Sequence, residues 1–152
     1  MSKSDIEKML PHKSNMVLLD NFIEYNSSEK FVKAEFTIDS KSIFFDASIN
    51  GVPALTGLEY MAQTIGCYAY YKNNQQPPRI GFLLGTRLYK SNSEVFENGK
   101  TYSTLAKEIF DDGQLVSFDC FIYNDNKELC AEAKVNAYMP KDEEELAGVI
   151  ND

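Results

Sequence analysis

The stretch from Gly57 to Lys72 constrains this chain more than any other. Leu58, Met61, Ala62, Ile65, Tyr68 and Ala69 recur at steps of three and four, the period of a helix. Between its ends the segment has no charge: Glu59 stands in the first turn and Lys72 at the close. A helix that is apolar in most directions must be covered in most directions, so the rest of the chain has to build a sheath. Ala62, Gly66 and Ala69 keep parts of its surface slim, and Asn73-Asn74-Gln75-Gln76-Pro77-Pro78 ends it in a loop.

The material for that sheath is β-rich. In a chain of 152 residues, 43% hydrophobic and 25% charged, there is enough for one domain with a sizeable core. Ser2–Leu10 forms one or two helical turns, and Pro11 closes them. Met16–Tyr25 reads as a strand, Asn26-Ser27-Ser28 as a turn, and Phe31–Asp39 as a second strand forming a hairpin with the first. Val32, Ala34, Phe36 and Ile38 point one way and Lys33, Glu35 and Thr37 the other, the mark of a strand with one wet face. Ser40–Pro53 is irregular. After the helix come four strands, Arg79–Lys90, Lys100–Phe110, Gln114–Tyr123 and Lys127–Met139, read as a meander of hairpins through the turns at Asn98-Gly99, Asp111-Asp112-Gly113 and Asn124-Asp125-Asn126. An antiparallel β-sheet wrapped around one long central helix satisfies this order, an α+β architecture known as the hotdog fold. Residues 1–140 form that single domain, and 141–152 an acidic C-terminal tail. One sheet encloses only part of a helix, so a dimer is expected.

Fifteen basic residues against 23 acidic ones give a net charge of -8, with no Lys/Arg-rich run, which argues against nucleic acid as a partner. No stretch reaches the ~20 apolar residues of a membrane span, and MSKSDIEKML lacks the apolar block of a secretory signal. The expected compartment is the cytoplasm. Cys67, Cys120 and Cys130 make no C-x-x-C, and Cys67, inside an apolar run, reads as a core residue. Ligands for a structural zinc are lacking, as are a phosphate-cradling loop and a dinucleotide fingerprint, so neither metal nor cofactor is expected. The aromatic residues lie at core spacing.

Two side chains stand out for chemistry. Thr56-Gly57-Leu58-Glu59 matches a capping box, in which Thr56 and Glu59 satisfy free backbone amides at a helix start. Glu59 is also the sole acid of an apolar helix, and a half-buried carboxyl beside unpaired N–H groups suits an acid catalyst. His12, the only histidine, sits in the run Leu10-Pro11-His12-Lys13-Ser14-Asn15-Met16 and is the one side chain whose ordinary pKa lies near neutrality. Gly57, Gly81 and Gly85 would let a ligand approach the backbone, or simply serve element ends and bulges.

Three motifs in order resemble the hotdog-fold 3-hydroxyacyl-carrier-protein dehydratases of fatty-acid and polyketide synthesis. Leu10-Pro11-His12-Lys13 with Val17-Leu18-Leu19-Asp20 is similar to that family's Leu-Pro-His-Arg opening and following strand. Glu59-Tyr60-Met61-Ala62-Gln63 resembles its acid-bearing helix start. Gly85–Leu88 with Glu97-Asn98-Gly99-Lys100 resembles its arginine-containing strand and turn. The likeness runs from about Leu10 to Met139, and the aryl-polyene subgroup of dehydratase-like proteins is the nearest in pattern. It implies loss of water from a 3-hydroxyacyl thioester, on acyl carrier protein or coenzyme A, to give the trans-2-enoyl product. Glu59 then takes the acid role and His12 the base. Gly57, Leu58, Gln63, Gly85 and Arg87 are the expected substrate contacts. The family joins acid and histidine across a subunit interface, so a homodimer or a heterodimer with another hotdog subunit is implied. Lys13, Lys72, Arg79, Arg87 and Lys90 would form the basic patch for an acidic carrier.

One departure bears on the base. The family's Gly-His-Phe-Pro segment falls on Ile43–Gly51, which holds no histidine; Phe45 or Ser48 occupies the spot. Either His12 replaces it, a different hotdog chain supplies it, or this chain has become a non-catalytic subunit. The fold also supports a thioesterase, with a carboxylate and an activated water.

Overall fold

The computed structural model describes residues 3–10, 16–75 and 83–138. Its elements are α1 (Lys3–Met9), β1 (Asn21–Asn26), β2 (Phe31–Thr37), β3 (Gly51–Pro53), a 3-10 turn (Ala54–Thr56), α2 (Gly57–Lys72), β4 (Leu83–Ser91), β5 (Val95–Glu97), β6 (Thr101–Asp111), β7 (Leu115–Tyr123) and β8 (Leu129–Tyr138). Six strands form one antiparallel sheet in the order β1-β2-β6-β7-β8-β4, and β3 pairs with β5 in a separate two-stranded ribbon.

Strand alternation places the sheet's inner face as the sequence implies. Val32, Ala34, Phe36 and Ile38 are fully buried, while Phe31, Lys33 and Glu35 are half-exposed. On β7, Val116, Phe118, Cys120 and Ile122 point inward in the same rhythm. Helix α2 lies across this face against β2, β6 and β7. Gln63 through Ala69 are buried without a break, together with Gly57, Tyr60 and Met61. Tyr60 stacks on Phe36 at 4.0 Å between centroids and meets Phe96 edge-on at 6.1 Å, while Tyr68 meets Phe118 edge-on at 5.3 Å. The aromatic residues here are packing. A buried hydroxyl pair also crosses this interface, Thr64 Oγ1 to Thr104 Oγ1 at 3.0 Å, and Thr64 donates to the Tyr60 carbonyl at 2.8 Å. Cys67 is fully buried, and its thiol is pushed up to about 12 by desolvation, which removes it as a nucleophile at neutral pH.

Two readings of the sequence change. The four strands after the helix are not one meander. β6, β7 and β8 are, but β4 pairs with β8, so Leu83–Ser91 forms the far edge of the sheet instead of opening a hairpin. The first strand starts late: Met16–Asp20 lies outside the sheet, and β1 begins at Asn21. The acidic stretch 141–152 lies outside the described residues. No helix among the described residues is long and apolar enough to cross a membrane.

The C-terminal end of α2 carries an ion cluster. Lys72 bonds both Glu108 and Asp111, and Lys30 approaches Glu108 at 3.8 Å. Glu108 is a carboxylate with only 5% of its side chain exposed, and it also meets the Tyr68 hydroxyl. The Lys72 bond, helped by the Gly113 amide, holds Asp111 below the usual carboxylate range. Substituting Lys72→Met should cost on the order of 2 kcal/mol in urea unfolding at pH 7, less than a fully orphaned buried charge because Lys30 and Tyr68 remain. A depressed carboxylate stabilises the fold above its unfolded pKa and loses that contribution as pH falls through its folded value. The difference between wild type and Lys72→Met should therefore shrink as the pH is lowered from 5 toward 2.

Candidate active site

The start of α2 is built from three separate pieces of chain. β3 pairs with β5 through Val52 and Phe96, and the ribbon is tied at its end by Asn98, which donates from its amide to the Asn50 carbonyl at 3.1 Å. Beyond it, the Ala54 amide donates to the Glu94 carbonyl at 2.9 Å. The Ala54 carbonyl accepts the Gly57 N–H and the Tyr89 hydroxyl. The 3-10 turn thus runs directly into α2.

The capping box is not made. Thr56 has helical angles, φ -81° and ψ -1°, and its hydroxyl donates back to the Pro53 carbonyl at 2.8 Å. No side chain caps the helix start. Glu59 is therefore free of the structural duty its motif suggested. It stands in the first turn, exposed rather than half-buried, with no ion pair or hydrogen bond among the described residues. The helix dipole favours a negative group at that place. Leu55, in the turn before it, is 85% exposed and Leu58, its neighbour, is half-buried, so the mouth of the helix is apolar on its open side.

The other expected site residues are dispersed. His12 lies outside the described residues, as do Gly81, Lys13 and Arg79. Gly57 is buried, and the side where a Cβ would stand is filled by Tyr89. Gly85 is exposed on β4 opposite Asn136, with open space above it. Arg87 falls in the bulge between Thr86 and Leu88, where the register with β8 shifts. Lys72 is committed to its carboxylates, and Lys90 is exposed. No group of three or more potential metal ligands occurs among the described residues.

Neither position where the family's histidine could fall can accept a proton. Phe45 packs half-buried on the core, and the Ser48 hydroxyl donates to Asp46 at 2.6 Å. That bond and the Ser48 amide hold Asp46 below the usual carboxylate range. The segment has become an ordinary turn.

Gln63 turns to its own chain. One helical turn after Glu59, and only 3% exposed, it accepts the Leu18 N–H at 2.7 Å and donates to the Met16 carbonyl at 2.8 Å. Its amide pairs with the backbone as a neighbouring strand would, which is how Met16–Asp20 can leave the sheet without orphaned polar groups. Tyr89 is a contributor the sequence reading missed; the only signal was a tyrosine rather than a phenylalanine at an inward strand position, where a hydroxyl needs a partner.

These bonds can be tested by a charge swap. A carboxylate in place of Gln63 faces the Met16 carbonyl with no proton to donate, whereas a neutral carboxyl restores both bonds. Gln63→Glu should thus match wild type below about pH 4 and lose stability as pH rises, because folding favours the protonated form. Gln63→Met should lose about 2 kcal/mol at every pH, the cost of two unpaired backbone groups. Urea unfolding from pH 4 to 8 distinguishes the two patterns.

Comparison with known proteins agrees with this architecture. A family model described as ApeP dehydratase, of the ApeP-like group, matches residues 4–148. The 3-hydroxyacyl-[acyl-carrier-protein] dehydratase FabZ of Lawsonia intracellularis is 28% identical over 144 residues, covering 91% of this chain and 92% of that protein. Among solved structures, the dehydratase heterocomplex ApeI:P from Xenorhabdus doucetiae superposes with a TM-score of 0.83 at 24% identity, over 97% of each chain. Zebra fish thioesterase superfamily member 2 shares the fold at a TM-score of 0.61 and 10% identity, over 90% of this chain and 94% of that one. The hotdog architecture and the family match fit together: the chain belongs to the ApeP-like dehydratase family.

Proposed function

We propose that this chain eliminates water from a 3-hydroxyacyl thioester carried on acyl carrier protein or coenzyme A, with Glu59 as the acid, in the cytoplasm and paired with a second hotdog subunit. The observation that supports it most is Glu59 itself: a carboxyl without a partner among the described residues, in the first turn of a sheathed apolar helix, relieved of any capping role.

In this reading an imidazole takes the proton from the carbon next to the thioester carbonyl, and the electron pair forms the new carbon–carbon double bond. The carbon–oxygen bond at the third carbon breaks, and Glu59, entering as the neutral acid, gives its proton to the departing hydroxyl, which leaves as water. Backbone N–H groups at the start of α2 stabilise the charge that builds on the carbonyl oxygen. The imidazole comes from His12 or from the second subunit, since Phe45 and Ser48 cannot serve. The similarity to ApeI:P, a dehydratase heterocomplex, supports a mixed pair here. Strand β4 supports it too: it is an edge strand, paired on one side only, with Leu88 47% exposed. Gly85 and Arg87 on that strand, with Leu58, are the proposed contacts for substrate.

The test is an elimination assay with a 3-hydroxyacyl carrier-protein thioester, run on this chain alone and with a second hotdog subunit. Glu59→Gln should lower kcat at least about a hundredfold in whichever preparation is active. His12→Ala should do the same if the chain supplies its own base, and leave turnover intact if the partner does. Undiminished turnover in Glu59→Gln removes the acid role, and release of free acid and thiol instead of enoyl thioester means a thioesterase.

A further inference from the structure

The geometry points to Tyr89 as a positioning residue: from β4, its hydroxyl and ring fix the backbone of residues 54–57 and thereby the place at which Glu59 stands. This rests on the reading of Glu59 as the acid.

Three observations carry it. The Ala54 carbonyl is buried in a residue only 3% exposed, and it accepts two bonds, the Gly57 N–H from its own turn and the Tyr89 hydroxyl from β4. The Ala54 amide is held on the other side by Glu94. The peptide units flanking Ala54 are thus gripped from two sides, five residues before Glu59.

Second, Gly57 and Tyr89 are made for each other. Gly57 has ordinary helical angles, φ -54° and ψ -33°, so nothing in its backbone conformation requires glycine. What requires it is space: a Cβ would collide with the Tyr89 hydroxyl and lie 3.1 Å from the ring carbon Cζ and 3.3 Å from Cε1. Glycine is a poor choice for a helix, and this seat for the phenol accounts for its presence.

Third, among the described residues no side chain caps the free N–H groups at the start of α2. Thr56 directs its hydroxyl backward to Pro53, the helix has no side-chain cap, and Leu55 is 85% exposed. The bulge between Thr86 and Leu88 shifts the register of β4 just before Tyr89. Past it Leu88 faces outward and Tyr89 packs against the core. A displacement of about 1 Å at a reacting group can cost about a hundredfold in rate, so a hydroxyl that steadies this turn has leverage on the reaction.

The experiment combines amide exchange by NMR with steady-state kinetics on Tyr89→Phe, Gly57→Ala and the double variant, in the preparation active in the elimination assay. In Tyr89→Phe, exchange at Gly57, Leu58 and Glu59 should quicken about fivefold beyond any change in β6 and β7, the effect of losing one hydrogen bond. Its kcat should fall about tenfold with KM kept within about twofold, the signature of displaced chemistry rather than lost binding. Gly57→Ala should be worse, and adding Tyr89→Phe to it should restore part of the loss, because the hydroxyl is the nearest obstacle and the ring carbon can yield. Unchanged kcat in Tyr89→Phe overturns the proposal, whatever exchange shows, as does strictly additive behaviour of the pair. If wild type eliminates water in no preparation, the acid role of Glu59 falls. Exchange then decides the latch alone: local quickening in Tyr89→Phe keeps Tyr89 as the brace of residues 54–57, and its absence removes that as well.

Discussion

A helix with apolar side chains in almost every direction cannot be left in water, and the rest of this fold is arranged to answer that demand. Burying one large aliphatic or aromatic side chain contributes about 2 kcal/mol, and α2 buries several, Tyr60, Met61, Ile65 and Tyr68 among them. The sheet supplies most of the cover through β2, β6 and β7. Since one sheet face cannot reach all round a cylinder, α1 and the segment 16–20 cover what remains; Ile6, Met9, Val17 and Leu19 are all buried. The far-edge position of β4 follows from the same demand, because a strand placed there carries the sheet further around the helix than a hairpin beside β6 would.

The two ends of this helix differ in what their charges do. At the C-terminal end, Glu108 and Asp111 are held by Lys72, which closes the last turn in keeping with the helix dipole. At the N-terminal end, the Glu59 carboxyl has no partner among the described residues, an exposed position and an apolar surround. Carboxylates that serve the fold are spent on cations or backbone amides; one that is not is available for chemistry. The contrast within a single helix is a stronger pointer to the site than the string Thr56-Gly57-Leu58-Glu59, which spells a cap that the backbone does not make.

How much of this was legible depended on whether the signal was periodic. The bounds of α2 and the alternation of β2 could be read directly, because burial imposes a period and the period shows in the residues. The ribbon of β3 and β5 could not, since three residues in each strand show no alternation. The place of β4 could not either: sheet order is a property of the whole chain, and adjacency in sequence is only a guide to it. Thr56 misled because a preceding 3-10 turn sets its angles and turns its hydroxyl backward, and no residue near it announces that turn. Gln63 enters the sequence reading only through the family resemblance, as an expected substrate contact; its partners in the fold are backbone atoms of Met16 and Leu18, which a sequence does not display.

Those partners have an evolutionary corollary. Gln63 grips a carbonyl and an amide, and Tyr89 grips a carbonyl; neither reads the side chain of the residue it holds. An anchor blind to residue identity permits drift at the exposed Met16, and at the exposed Leu55 that follows the gripped Ala54 carbonyl, while the skeleton stays put. Descendants of this chain could therefore re-upholster the entrance for a different acyl guest, one substitution at a time, without first redesigning the joinery.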